Sequence, residues 1–490
     1  MRNKREPASP GAAQAASAGE SKMWSGRFNS GPSPLMERFS SSLAIDRLMW
    51  QEDLAVNRAW ARALRRVEIL NAAEVKKILQ GLQTIAEELC ENRFEFKAGD
   101  EDIHMAIERR LTELTGEAGA KIHTGRSRND QVVTDLRLYL KRQTVELQNE
   151  ICRLVAALLR QAEQNLEVIL PGYTHTQQAQ PVRLPHYLFS AIAALRRHHQ
   201  QLTDYGARID ELPLGCGALA GTAFLVDREI LARELGFARV MQNSIDATGS
   251  RSFCSELAFI CADLGTTLSR YCHDFILWCS LEYGFIDPGE QFATGSSMMP
   301  NKKNPDAFEL VRGKAAQLIG ILSSLLTLQK GIPVTYSRDL QDDKKPLFEA
   351  LQIASDCLQV FTGALATCHF RERRMRDTID SSLFATDLAD YLVRKGVPFR
   401  HAHHLVGSAV QHAERIAYRL HELPLSFWLA LHPAFDQDVQ ACFAARASVE
   451  RRQAAGGTAK KQIQLQLNAI KKWLQQQSKS KKPSRMRRKS

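Results

Sequence analysis

No stretch of this 490-residue chain is apolar over the length that crosses a bilayer, and the N-terminus lacks the apolar core of a secretory signal. These absences predict a cytoplasmic protein with no membrane partner. The ten cysteines include no C-x-x-C pair, which removes zinc-ribbon and dithiol redox chemistry and leaves reduced thiols as the expectation. Cys254, Cys261, Cys272 and Cys279 recur at spacings of 7, 11 and 7, so they should lie on related faces of a helix and pack as small apolar groups. His401, His403 and His404 have no Cys or carboxylate at a supporting interval, and no metal is expected there. Strand-like alternation is also scarce. The Gly215-x-Gly217 run has no strand pattern before it and its next glycine comes one residue late, which excludes a Rossmann oxidoreductase.

Large apolar side chains are nearly missing from both ends. Residues 1–22 and 475–490 therefore read as disordered tails. They also carry most of the net charge of +11: Arg2, Lys4, Arg5 and Lys22 outweigh Glu6 and Glu20, and Lys479, Lys481, Lys482, Arg485, Arg487, Arg488 and Lys489 have no acidic neighbour. The body is close to neutral, so no specific nucleic-acid partner is expected, only weak polyanion binding by the C-terminal tail.

Between the tails, helical periodicity dominates. Val132, Leu136 and Leu140, then Leu147, Ile151 and Val155, repeat at i+4 through a segment free of Gly and Pro. Comparable patterns cover about 183–209, 252–284, 305–330 and 344–370. The expected fold is mainly α, with an N-terminal helical domain over 23–127, a central long-helix bundle over 128–379 and a C-terminal helical domain over 380–474.

Four polar segments interrupt the helical pattern. Thr294 to Asp306, with Glu309, sets Ser296, Lys302 and Asn304 around Gly295 ahead of a helix that Pro305 should open, which suits an anion whose charge develops during reaction. An ordinary helix-capping loop is the plainer reading of such a stretch. His123-Thr124-Gly125-Arg126-Ser127-Arg128-Asn129-Asp130-Gln131 runs into the longest helix with Asn129 or Asp130 as its cap, and its arginines match carboxylates. Gly172 to Pro181 holds His175 among hydrogen-bonding side chains, where a carboxylate such as Glu309 would make it a proton-transfer group. Tyr336 to Lys344 reads as a charged helix start.

The string from Gly295 to Glu309 matches the G-S-S-x-M-P-x-K-x-N-x-x-x-x-E signature of the fumarase and aspartase superfamily. Together with Asp100-Glu101-Asp102-Ile103-His104 and Leu212 to Thr222, the four segments resemble the argininosuccinate lyase family from about residue 22 to 474. H-T-G-R-S-R-N-D-Q and Y-x-x-D-L-Q-x-D-K separate that branch, with its lens relative δ-crystallin, from fumarases and aspartases.

The resemblance implies a three-domain fumarase/aspartase-like fold completed in a homotetramer, with each active site shared between subunits. It implies cleavage of argininosuccinate to arginine and fumarate without cofactor or metal. Ser296 would be the flexible-loop base and His175 the acid, oriented by Glu309, with Lys302 and Asn304 stabilising an enediolate-like intermediate. Ser42, Arg128, Asn129, Thr174, Tyr336, Gln341 and Lys344 would bind substrate, and His104 would add a contact. The alternatives it leaves open are a catalytically idle structural protein of the δ-crystallin kind and a lyase for a related succinyl-amine. Ser25, Thr176, Gln178 and Ser337 depart from the usual residues, and Ser250 and Ser252 replace acids, which should leave Arg251 less neutralised.

Overall fold

The computed structural model describes residues 31–480, and the tail residues 1–22 and 481–490, with Ser25, lie outside that range. The chain divides into two compact units: residues up to Tyr139 with Glu211–Thr248, and Leu140–Asp210 with Gly249 onward.

In the first unit, α1 (Trp50–Arg66), α2 (Ala72–Cys90) and α3 (Ile103–Thr115) pack around Trp60, Ile78, Leu82, Ile107 and Leu111. Asn71 and Glu74 form a reciprocal capping box at the start of α2, and Asp102 caps α3 through Met105 N at 2.6 Å. Both α2 and α3 thus start where a side-chain oxygen satisfies a free N–H group.

The chain passes into the second unit within α4 (Arg128–Gln164), whose 37 residues span about 55 Å. Leu136, Leu140, Leu147, Ile151 and Val155 are buried, as the i+4 spacing requires. A short antiparallel hairpin of β1 (Ile169–Thr174) and β2 (Gln177–Arg183) follows. Then come α5 (Leu184–Ile209), α6 (Ser252–Cys279), α7 (Asp306–Gln329) and α8 (Lys344–Thr367), with α6 packed against the other three. Cys254, Cys261, Cys272 and Cys279 all fall on α6, and the first three are buried with thiols that desolvation keeps protonated where a shift is resolved.

A smaller core in the same unit joins α9 (Ala385–Arg394) and α10 (Phe399–Arg415) around Trp428 and Phe435. His401, His403 and His404 sit exposed on α10. The last helix, α11 (Lys460–Ser480), buries Ile463, Leu467 and Ile470 and runs past the expected boundary at residue 474, where its Gln and Lys residues are good helix formers. The fold is mainly α, as expected. Among the described residues, strands form only two-stranded sheets, and no helix is long and apolar enough to cross a membrane.

Candidate active site

Two candidates of the first unit, His104 and Arg128, meet in one polar network. His104, 1% exposed, turns Nδ1 to Asp53 Oδ1 at 2.8 Å and Asp135 Oδ2 at 3.1 Å. Gln131 donates to Asp53 Oδ1 at 2.6 Å and Asn57 to Asp53 Oδ2 at 2.8 Å. Burial opposes charge on the imidazole, but the Asp53 charge and hydrogen bonds to Asp135 and Asp53 outweigh it and raise the His104 pKa to about 10. Asp135 is held well above the carboxylate range, first by desolvation and then by Asp53. Both acids meet the same ring nitrogen, Nδ1, at hydrogen-bond distance. Nε2 is the atom left for any further contact, since it is buried without a hydrogen-bond partner among the described residues.

Arg128 extends this network outward: it donates to Gln131 Oε1 at 2.8 Å and lies 3.2 Å from Asp102 Oδ2. Ser42 joins the same region through its N–H to Glu101 O at 2.9 Å and its hydroxyl to Asp46. Asn129 does not cap α4; the Ser127 hydroxyl does, accepting Asn129 N at 3.1 Å. Asp130 takes part in that cap, its Oδ1 accepting Ser127 N at 3.0 Å, and it also ties down the Gly215-x-Gly217 turn, its Oδ2 taking both glycine N–H groups at 3.0 and 2.9 Å. Both glycines have positive φ, which aims their N–H groups at one point. The run that mimics a nucleotide fingerprint is a cradle for the protein's own carboxylate. Burial raises that carboxyl to about 6, against the pull of the N–H donors and Arg126.

Sequence reasoning missed Asp53 and Asp135. The available signal was an acid at a core-facing helical position, Asp53 beside Leu54 and Asp135 beside Leu136.

The candidates of the second unit are placed differently. Thr174 and His175 stand exposed at the hairpin tip, where His175 and Thr176 form a two-residue turn with φ of 53° and 60°. Non-glycine residues resist that conformation, so the turn holds backbone strain at the imidazole. Gln178, one of the departures, anchors the hairpin by donating to Thr378 O at 3.1 Å.

Ser296 lies in a loop closed at its base by paired backbone hydrogen bonds between Thr294 and Asn304, at 3.3 and 2.7 Å. Its Oγ accepts from Met298 N at 3.2 Å and Met299 N at 3.0 Å. Lys302 is exposed on the same loop, and Asn304 Nδ2 turns to Thr294 Oγ1 at 3.4 Å. Pro305 is the N-cap of α7 rather than its first residue. Gly295 is not forced by crowding, since a Cβ there would meet only Lys302 O at 3.9 Å.

Glu309 is exposed in the first turn of α7, and no described hydrogen bond or ion pair joins it to His175. Tyr336, Gln341 and Lys344 follow one another through a 3₁₀ turn, Arg338–Asp343, into α8. Lys344 is buried, its Nζ 2.9 Å from Asp343 Oδ1. The expectation for Arg251 is corrected here: Asp343 pairs with its guanidinium directly, so the loss of acids at Ser250 and Ser252 does not strip it of a counter-charge.

Residues 26–320 match the lyase family model, and residues 382–450 match the argininosuccinate lyase C-terminal model. The chain is 47% identical to the argininosuccinate lyase of Roseiflexus sp. (strain RS-1), over 91% of this chain and 98% of that protein. It is 44% identical to the argininosuccinate lyase of Schizosaccharomyces pombe, over 92% and 98%. Among solved structures, an EDDS lyase variant with bound fumarate superposes with a TM-score of 0.80 at 26% identity, covering 92% of each chain. A class II fumarase from Schistosoma mansoni shares the fold, with a TM-score of 0.72 at 17% identity over 85% of this chain and 95% of that one. The long-helix architecture, the Ser296 loop and these similarities agree, and the chain belongs to the argininosuccinate lyase family of carbon–nitrogen lyases.

Proposed function

We propose that the protein eliminates fumarate from argininosuccinate and releases arginine, with no cofactor. The observation that carries this reading is the Ser296 loop, in which a half-buried hydroxyl already accepts two backbone N–H groups near the N-terminus of α7. A serine is far too weak a base unaided, and donors aimed at Oγ favour the charge it gains on losing its proton.

In the proposed reaction Ser296 takes the proton from the carbon beside a substrate carboxylate. The electron pair moves onto that carboxylate, which becomes enediolate-like and is met by Lys302, Asn304 and the positive end of α7. The pair then forms the C=C bond of fumarate as the C–N bond breaks, and His175 gives its proton to the departing guanidinium nitrogen. Thr174, Arg128, Asn129, Ser42, Tyr336, Gln341 and Lys344 would bind the substrate, and His104 would add a contact.

Glu309 would orient His175 from another copy of the chain, because both side chains face solvent in one copy. A homotetramer is supported by the face of α7 that carries Ile319, Gly320 and Leu326. The two large side chains are 53% and 54% exposed, and residues 315–329 hold no charge. An uncharged helix that leaves large apolar side chains exposed calls for partner helices. The cytoplasmic setting, with the cysteines as reduced thiols, belongs to this proposal too.

Since Ser296, His175, Glu309, Lys302 and Asn304 are all present, an active enzyme is favoured over an idle structural protein. Following fumarate by its ultraviolet absorbance, with argininosuccinate and then with other succinyl-amines, tests the reading. Turnover of argininosuccinate supports it; no turnover, or turnover of another succinyl-amine alone, overturns it.

A further inference from the structure

The segment Gly249-Ser250-Arg251 lies beneath the stretch that carries Tyr336, Gln341 and Lys344, and three observations show how closely they are fitted. A Cβ at Gly249 would fall 2.2 Å from Val334 O, so any larger residue would push the stretch away. Arg251, at the start of α6, is buried; its Nε donates to Asp343 Oδ2 and its Nη1 to Ser250 O at 2.9 Å. The other oxygen of Asp343 receives Lys344 Nζ at 2.9 Å. Tyr336 belongs to the same cluster. Its burial raises the phenol, and the Lys344 and Arg251 charges pull it back down.

One carboxylate therefore joins two buried cations, one on each of two helix starts. Lysine carries its charge on a flexible stem and has no fixed geometry of its own. A carboxylate that is itself held by a planar guanidinium, which also grips Ser250 O, supplies that geometry.

We propose that Arg251 is a positioning residue for Lys344, acting through Asp343, and that Gly249-Ser250-Arg251 is the bracket that sets the Tyr336–Lys344 stretch for substrate. The inference rests on the reading of Lys344 as a substrate-binding group. Arg251 touches no reacting atom. Its loss should weaken binding of a carboxylate-bearing substrate while leaving the Ser296 loop and the proton transfers in place.

The test measures kcat and KM for argininosuccinate, and inhibition by fumarate, in the full-length enzyme with Arg251→Gln, Lys344→Ala and the two combined. Arg251→Gln should raise KM and the fumarate inhibition constant by about 10-fold and change kcat by less than about 3-fold. The combined variant should be no worse than Lys344→Ala alone, because both changes act through one amine. Arg251→Lys keeps the charge but loses the planar group that bonds Asp343 and Ser250 O together, and should recover only part of the affinity.

Should Arg251→Gln fail to fold with Asp343 left unpaired, Arg251→Gln with Asp343→Asn leaves a neutral pair and should give the same rise in KM. A normal KM in whichever of these variants folds, or additive losses in the combined variant, would overturn the proposal while leaving Lys344 as a binding group. A normal KM in Lys344→Ala would overturn the substrate-binding reading of Lys344 itself, and the proposal with it.

Discussion

The candidate residues of the two compact units are held in opposite ways. In the first unit His104 is locked between Asp53 and Asp135, and Arg128 is tied to the same network through Gln131. In the second, His175, Lys302 and Glu309 stand exposed and Ser296 half-buried, on a strained turn, a closed loop and a helix start. The proton-transfer candidates are presented to solvent, whereas charged groups that must keep one position are buried with partners. Lys344, buried against Asp343, follows the pattern of the first unit although it lies in the second. The distinction therefore follows the proposed role and not the place in the fold.

Ser296→Ala tests the exposed set most severely. It removes one oxygen and little packing, so the protein should keep its thermal midpoint and still bind fumarate. Turnover should fall by about 1,000-fold or more if the hydroxyl is the base. A loss of less than about 10-fold would assign the base to another group.

Asp53→Asn tests the buried set, and here stability should respond first. Removing one partner of a buried ion pair costs about 3 kcal/mol, read as a lower urea midpoint. The pH dependence has a definite sign. His104 titrates near 10 when folded against an ordinary value of 6.5, so its contribution is complete below about pH 6.5 and is lost as pH rises toward 10. Asp135, also held above its ordinary value, acts in the same direction. Between pH 6 and 10 the wild type should therefore lose more stability than His104→Gln. Parallel curves would mean that the imidazole is not charged in the folded protein.

Glu309→Gln asks whether the two exposed groups meet in the assembled protein. Turnover should drop by about 10-fold and its pH dependence should move, with KM nearly unchanged. An unaltered pH profile would show that Glu309 and His175 are not coupled in any copy.

The long helices were legible because their signal is local. Leu136, Leu140, Leu147, Ile151 and Val155 report their burial by spacing alone. The Ser296 loop was legible for a similar reason, since its residues are neighbours in sequence. The hairpin under His175 was not, because Gln177 to Val182 shows no alternation and its turn uses His and Thr where glycine or asparagine usually marks one. The Asp53–His104–Asp135 network and the Arg251–Asp343 pair were hidden for a different reason. Their members lie 31 to 92 positions apart, and a single acid in a helical pattern does not reveal which cation faces it.

That last pair yields the smallest expected effect. Relatives with acids at positions 250 and 252 suggested that serine there would leave Arg251 exposed to its own charge. Asp343 already occupies the guanidinium, while the Ser250 and Ser252 hydroxyls lie on the exposed side, 3.2 Å from each other. A carboxylate introduced there would be a solvated, screened neighbour worth at most about 1 kcal/mol. Ser250→Asp and Ser252→Glu should accordingly change KM by less than about 2-fold at physiological salt, with kcat unaffected. A several-fold rise in KM would show that the new acid competes with Asp343 for Arg251, and that the buried pair is less firmly locked than the exposed groups are free.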